Sequence, residues 1–436
     1  MTRVPVTAVV VLGLSMIAGL TRAQIAGNSS ISAADLNLLL EQRRYFRLER
    51  ALASDIELAP ETRAFFQGVM ANRRNRASES IRLLQPLVTG LSKADRKHAV
   101  IALSTLADDF EKTFHYAEAA DTYANLAQNY ATDMSPGELV RVRREAARWN
   151  LLRDAPPQTA IVNGPFTVET IRNRLGLVKA PVTIAGRQTL MILDTGANLS
   201  AISRSAALRW GLKLSSGEAT MSGQAGKAVP VHTAVIPELK IGKAIFHNVA
   251  AIVVDDRDMF VSDIDYQLPG SLGFPVLSAL GQITFFKDGR FGVGPTRERM
   301  SLGGNLFLQR LTPIVSATIQ GKEELFTIDT GATGSFLSVR YYNDFPNQFD
   351  SQFVDEMSLT GAGGTISLPA YYIKDVTLRL GGACVDIKDV PVLIQPRGIP
   401  DDYYYGNLGQ TAFGMFPSYT FDFQNMSFTI EGPACD

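Results

Sequence analysis

Two aspartates carry the most legible chemistry in this chain. Each ends an apolar run and opens an Asp-Thr-Gly tripeptide: Met191-Ile192-Leu193-Asp194-Thr195-Gly196-Ala197, and Phe326-Thr327-Ile328-Asp329-Thr330-Gly331-Ala332. A carboxylate behind an apolar run is costly unless it is paired or used. Two in matching frames suggest a pair built to meet face to face. Carboxyls brought that close cannot both ionise, so they share one proton over a broad acid range. The charged member can take a proton from a water held between them, and the protonated member can donate to a carbonyl oxygen. Which aspartate holds the proton is a property of the coupled pair.

The elements that must position the pair are duplicated. Val182-Thr183-Ile184-Ala185-Gly186-Arg187 leads toward Asp194, and Ala317-Thr318-Ile319-Gln320-Gly321-Lys322 leads toward Asp329. The offset is 329 − 194 = 135 and also 317 − 182 = 135, so the stretches align without a gap. Each reads as strand, Gly-containing turn, strand and loop. Downstream, Gly270-Ser271-Leu272-Gly273 corresponds to Gly406-Asn407-Leu408-Gly409, and Thr284-Phe285 to Thr420-Phe421, now at 408 − 272 = 136. One residue of drift over that distance marks two homologous β-rich lobes, 159–300 and 301–436.

These residues resemble the retropepsin-like aspartic peptidases, in a tandem form with two such units in one chain. The shared pattern is apolar-apolar-Asp-Thr-Gly-Ala, an apolar residue and Ser (Ile202-Ser203; Leu337-Ser338), then an apolar-Gly pair (Leu272-Gly273; Leu408-Gly409). The resemblance covers roughly the last 275 residues. It implies two β-barrel-like lobes and an endopeptidase whose catalytic residues are Asp194 and Asp329; proton sharing of the kind described above is well known in aspartic proteases. It gives Thr195 and Thr330 a hydrogen-bonding role between the loops. It places Leu272, Gly273, Leu408 and Gly409 beneath them, while Gly196 and Gly331 let the backbone approach closely. Because both aspartates lie in one chain, a monomer suffices, with no metal or organic cofactor. A peptide or protein is the implied substrate.

Two Gly-rich stretches, 222–226 and 360–364, precede alternating β residues and match by position the flaps that close over substrate in that family. Their candidates are Gly223 and Gly226 in the first lobe, and Gly361, Gly363 and Gly364 in the second. An ordinary exposed hairpin turn is the alternative. Other chemistries find no support: the four histidines show no metal-ligand spacing, and neither a Gly-X-Ser-X-Gly elbow nor a Gly-Lys-Ser/Thr phosphate loop occurs.

Upstream, residues 32–153 carry helical periodicity, with apolar residues at Leu36, Leu39 and Leu40 and again at Ile101, Leu103 and Leu106. Ala155-Pro156-Pro157 ends this region. The run 116–126 alternates small residues with Tyr and Leu, and 76–84 lies about one repeat earlier; both resemble tetratricopeptide repeats, with three degenerate helical hairpins. A docking surface for a protein partner, a structural cap and a removable pro-segment are the readings. Scaffold or docking is preferred, because hairpins of this length bury their own core.

At the start, Arg3 precedes the apolar stretch 4–20, and Thr21-Arg22-Ala23 ends it. Residues 1–23 read as a signal peptide cut before Gln24, an uncleaved membrane anchor being the alternative. Asn198 lies in an Asn-X-Ser/Thr sequon four residues past Asp194, where a glycan would obstruct the pair. That favours a bacterial periplasm or exterior. Cys384 and Cys435 are the only cysteines and form either one disulfide or two buried thiols. Forty-two basic against 43 acidic residues create no field for nucleic acid.

The expected architecture is multidomain, α plus all-β: signal peptide 1–23, helical hairpins 24–158, then the two lobes. The expected function is aspartic endopeptidase. The rival is a catalytically silent protein that binds peptides or partners through the cleft and helical repeats.

Overall fold

The computed structural model describes residues 31–222, 228–261, 265–268, 270–295, 304–350, 352–397 and 403–435. The signal-peptide segment, Gly223 and Gly226 lie outside them. A helical region is followed by two β-rich domains. The chain divides into two compact units, residues up to 58 and residues 59 onward.

The first unit holds α1 (Ala33–Glu41) and α2 (Tyr45–Ala53). Ser32 and Asp35 form a reciprocal capping box that starts α1. Leu36, Leu40, Tyr45 and Leu48 are buried.

The second unit continues with α3 (Pro60–Arg73), α4 (Ala77–Leu84), α5 (Val88–Ala94), α6 (Arg96–Lys112), α7 (Tyr116–Asn129) and α8 (Pro136–Asn150). Three helix pairs turn in the same way: a three-residue link whose middle residue is left-handed. These residues are Arg43 between α1 and α2 (φ 50°), Asn75 between α3 and α4 (φ 55°), and Phe114 between α6 and α7 (φ 61°). Pro136 at the first turn, with the Ser135–Glu138 capping box, starts α8.

Helices α6, α7 and α8 share a core with the first β domain. Leu103, Tyr123, Val142 and Trp149 pack in one buried cluster with Leu199, Val231, Ile252 and Val254 of the first β domain. Removing α6–α8 would expose that apolar sheet face to water, at about 25 cal/mol per Å². This argues for a structural part and against a removable pro-segment. Among the described residues no helix is long and apolar enough to cross a membrane.

Each β domain is built on the same hairpin. Val178–Ile184 pairs with Arg187–Leu193, and Thr312–Ile319 pairs with Lys322–Ile328. Inward residues alternate along them; Val178, Ala180, Val182 and Ile184 are all buried, as period two requires. A third sheet joins the domains. Gln282–Phe286 of the first pairs antiparallel with Ser418–Asp422 of the second. Thr284 stands opposite Thr420, its own counterpart in the duplication, with the two hydroxyls 2.9 Å apart. Phe285 stacks on Tyr419 at 4.8 Å between ring centroids. The lobes are therefore related by a local two-fold axis and share one continuous core. The two lobes are expected to meet at the Asp-Thr-Gly loops; the pairing of these strands in a joint sheet has no mark in the sequence.

Cys384, on the strand Ala383–Leu393, is joined by a disulfide to Cys435, with Cα atoms 4.7 Å apart. The bond ties the C-terminal tail to the second lobe, resolving the two readings of the cysteines.

Candidate active site

The two Asp-Thr-Gly loops emerge from equivalent strand arrangements. Arg187–Leu193 leads to Asp194, and the short strand Gly270–Leu272 lies parallel beside it. The same short strand pairs antiparallel with Ser200–Ser203 beyond the loop. In the second lobe Gly406–Leu408 bridges Lys322–Ile328 and Phe336–Leu337 in the same manner. Each aspartate is thereby seated through its backbone: Asp194 N–H donates to the Leu272 carbonyl at 3.0 Å, and Asp329 N–H to that of Leu408 at 2.9 Å. Both leucine side chains are buried, so these positions both fill space and anchor the loops.

The glycines after the leucines meet the far side of each loop. A Cβ on Gly273 would lie 2.6 Å from the Leu199 carbonyl oxygen, and one on Gly409 2.6 Å from that of Ala332. No side chain fits there. Gly273 N–H donates to Ser200 Oγ at 3.1 Å and Gly409 N–H to Ser335 Oγ at 2.9 Å. Ser200 and Ser335 were not among the residues singled out from the sequence. Their spacing, 335 − 200 = 135, is the signal that could have found them.

The loops interlock through their threonines, both fully buried. Thr195 N–H donates to Thr330 Oγ1 at 3.0 Å, and Thr330 N–H to Thr195 Oγ1 at 3.1 Å. Each hydroxyl then donates onward across the interface. Thr330 Oγ1 reaches the Leu193 carbonyl at 2.7 Å, and Thr195 Oγ1 the Ile328 carbonyl at 3.4 Å. Four backbone groups that burial would otherwise leave unpaired are satisfied by two side chains.

This grip brings the carboxyls together. Asp194 Oδ1 accepts from the N–H groups of Gly196 (3.1 Å) and Ala197 (3.0 Å), and Asp329 Oδ1 accepts from Gly331 N–H at 2.7 Å. Each carboxyl also faces the glycine of the other loop. A Cβ on Gly196 would sit 2.5 and 2.6 Å from the Asp329 oxygens, and one on Gly331 would fall on the Asp194 carboxyl. Burial holds the Asp194 carboxyl well above the usual range. The charge of Asp329, and the hydrogen bond between the two carboxyls, raise it further against the pull of the loop N–H groups. Carboxyls this close disfavour ionising together.

Of the flap candidates, Gly361 and Gly364 close the hairpin of Asp355–Gly361 with Gly364–Leu380. Gly363 and Gly364 both have left-handed φ, 89° and 106°, which the tight turn requires. Gly363 N–H donates to the Asp258 carbonyl of the first lobe at 3.1 Å, so the tip reaches from one lobe to the other.

Residues 180–276 and 315–412 each match the aspartyl protease family. The matches begin 315 − 180 = 135 residues apart and end 412 − 276 = 136 apart, the same drift that the duplicated motifs show. No curated protein matches the chain. The two β domains are thus, segment by segment, similar to aspartyl protease lobes, each contributing one Asp-Thr-Gly loop.

Proposed function

We propose that the protein is an aspartic endopeptidase that hydrolyses peptide bonds with a water activated between Asp194 and Asp329. The observation that carries this reading is the carboxyl pair itself: two aspartates from duplicated loops, hydrogen-bonded to each other, with the Asp194 carboxyl pushed well above its usual range by burial and by the charge of Asp329. A structural role would not call for it, since an amide or apolar pair would avoid the burial cost.

In the proposed reaction, the ionised carboxylate takes a proton from the bound water as its oxygen attacks the scissile carbonyl carbon. The protonated carboxyl donates to the carbonyl oxygen, giving a neutral gem-diol. The dyad then gives a proton to the departing amine nitrogen and takes one from a gem-diol hydroxyl as the C–N bond breaks, so the product carboxyl forms and the pair again holds one proton. In this reading the threonine grip holds the spacing, and the 361–364 hairpin acts as a flap that covers the substrate and excludes water. Both halves of the site lie in one chain, so a monomer suffices. Export to a periplasm or the exterior, directed by residues 1–23, and tetratricopeptide-like docking of a partner by the helices belong to the same proposal.

The test is cleavage of a mixed peptide library across roughly pH 3 to 8, with Asp194→Asn and Asp329→Asn as controls. Cutting by the wild type alone, falling on the alkaline side as the shared proton is lost, supports the reading. Activity retained in either variant ends it. No cutting by folded wild type favours the silent binding protein.

A further inference from the structure

The two dyad loops are braced differently. At the fourth residue past each aspartate, a turn from the opposite lobe abuts the loop. In the second lobe this residue is Thr333, whose Oγ1 donates to the Leu175 carbonyl at 2.8 Å. In the first it is Asn198, whose Oδ1 accepts from Thr312 Oγ1 at 3.4 Å. The two turns are counterparts: 333 − 198 = 135, and 310 − 175 = 135, so Arg310 stands where the first lobe has Leu175.

The turn around Leu175 holds its own shape. Asn173 Oδ1 accepts from the N–H groups of Leu175 and Leu177, both at 2.9 Å. At the corresponding position, 173 + 135 = 308, the turn around Arg310 has Leu308, whose apolar side chain cannot cap it in this way. It is a two-residue link between Leu306–Gln309 and Thr312–Ile319, with Gln309 opposite Thr312. Arg310 holds a left-handed φ of 58°, a conformation that favours Gly or Asn. Its guanidinium is instead held by the helices. Arg310 Nη2 lies 2.6 Å from Glu145 Oε1 of α8 and 3.6 Å from Glu111 Oε1 of α6. That Glu111 oxygen also accepts from the Tyr123 hydroxyl at 2.7 Å and from Trp149 Nε1–H at 2.8 Å, while Glu145 pairs with Arg148 as well. Glu111 is fully buried and Glu145 nearly so. Two carboxylates with buried side chains thus flank the guanidinium, and their charge holds it toward the helices.

We propose that Arg310 is a positioning residue for the dyad: through it the helical domain fixes the 309–312 turn and, by the Thr312–Asn198 contact, the loop that carries Asp194. The helices then form part of the active-site scaffold in addition to any docking role. The second dyad loop, braced by the self-capped turn, does not depend on them.

The experiment measures amide hydrogen exchange in the full chain for Arg310→Met and Thr312→Val, comparing residues 195–199 with 330–334. Arg74→Met is the control. Arg74 also ties the helices to this strand, through the Gly304 and Leu306 carbonyls at 2.8 and 2.6 Å, but at its opposite end. Exchange about tenfold faster at 195–199 in both test variants, with 330–334 and the control unchanged, is the expected result. Equal change in the two loops, or the same change in Arg74→Met, overturns the proposal. If Arg310→Met fails to fold, Thr312→Val, which leaves the buried charges untouched, decides alone.

A kinetic arm rests on the peptidase reading. For a cleaved peptide, kcat should fall about tenfold with KM within threefold, and Arg310→Lys should recover part of it. Wild type that cuts nothing counts against the peptidase reading only, since the exchange comparison still judges the brace.

Discussion

Replacing Thr330 with Val is the most direct probe of how the two lobes hold the aspartates. Valine matches threonine in shape, so no cavity opens and the change isolates one hydroxyl. That hydroxyl accepts from Thr195 N–H at 3.0 Å and donates to the Leu193 carbonyl at 2.7 Å, in a fully buried position. Its removal orphans one donor and one acceptor, each costing about 1–3 kcal/mol. The apolar methyl that replaces it returns about 0.8 kcal/mol. The net loss should be about 1–5 kcal/mol, large for a change that keeps the side chain's shape. Thr195→Val is the internal comparison. Its hydroxyl donates over a longer 3.4 Å contact, so less is lost. Urea unfolding followed by the fluorescence of Trp149 and Trp210 reads the shift, compared as midpoints because several domains unfold. A loss under about 0.5 kcal/mol for Thr330→Val, or a larger loss for Thr195→Val, would refute the interlock as described.

Two further outcomes follow from the same geometry. Gly331→Ala places a methyl on the Asp194 carboxyl; peptide cleavage should drop about 100-fold or more in protein whose circular dichroism is unchanged, and near-normal rates would contradict the close approach. Stability should rise on mild acidification. Burial pushes Glu111 up to about 7, against the pull of Arg310, and Asp109 likewise to about 7, against the pull of Lys112. For carboxyls whose folded pKa exceeds the unfolded one, the folded state binds the extra proton, so stability increases as pH falls through the folded value and levels off below the unfolded one. The melting temperature should be higher at about pH 5.5 than at about pH 7.5, with Glu111→Gln flattening the difference. The gain reverses in stronger acid, where Glu145, held below its usual range by Arg148, Arg310 and Arg141 in spite of burial, takes up a proton. A melting temperature that climbed toward pH 7.5 would contradict the assignment.

The aspartates, their glycines and the leucine-glycine pairs were readable from the chain because their constraints are local and occur twice. Asp-Thr-Gly must follow a strand, and a glycine must stand where backbone meets backbone, so residue types and a constant offset of 135 to 136 are enough to find them. The hairpin turn at Gly363 and Gly364 was readable because left-handed turns select glycine. The two alternatives for the cysteines needed a Cα separation, which only folding supplies.

What only tertiary structure decided is the set of contacts made between residues with no local mark. Thr284 meets Thr420 because a two-fold relation between lobes pairs each strand with its own copy, and nothing in either strand announces that. Ser200 and Ser335 look like ordinary loop serines until the glycine N–H groups they accept from are in view. Arg310 is one basic residue among 42 until burial places it between two glutamates more than 150 positions away. Periodicity and motif report what a residue's immediate neighbours impose. Burial, charge pairing and the joining of the lobes depend on distances through space, which the order of residues does not contain.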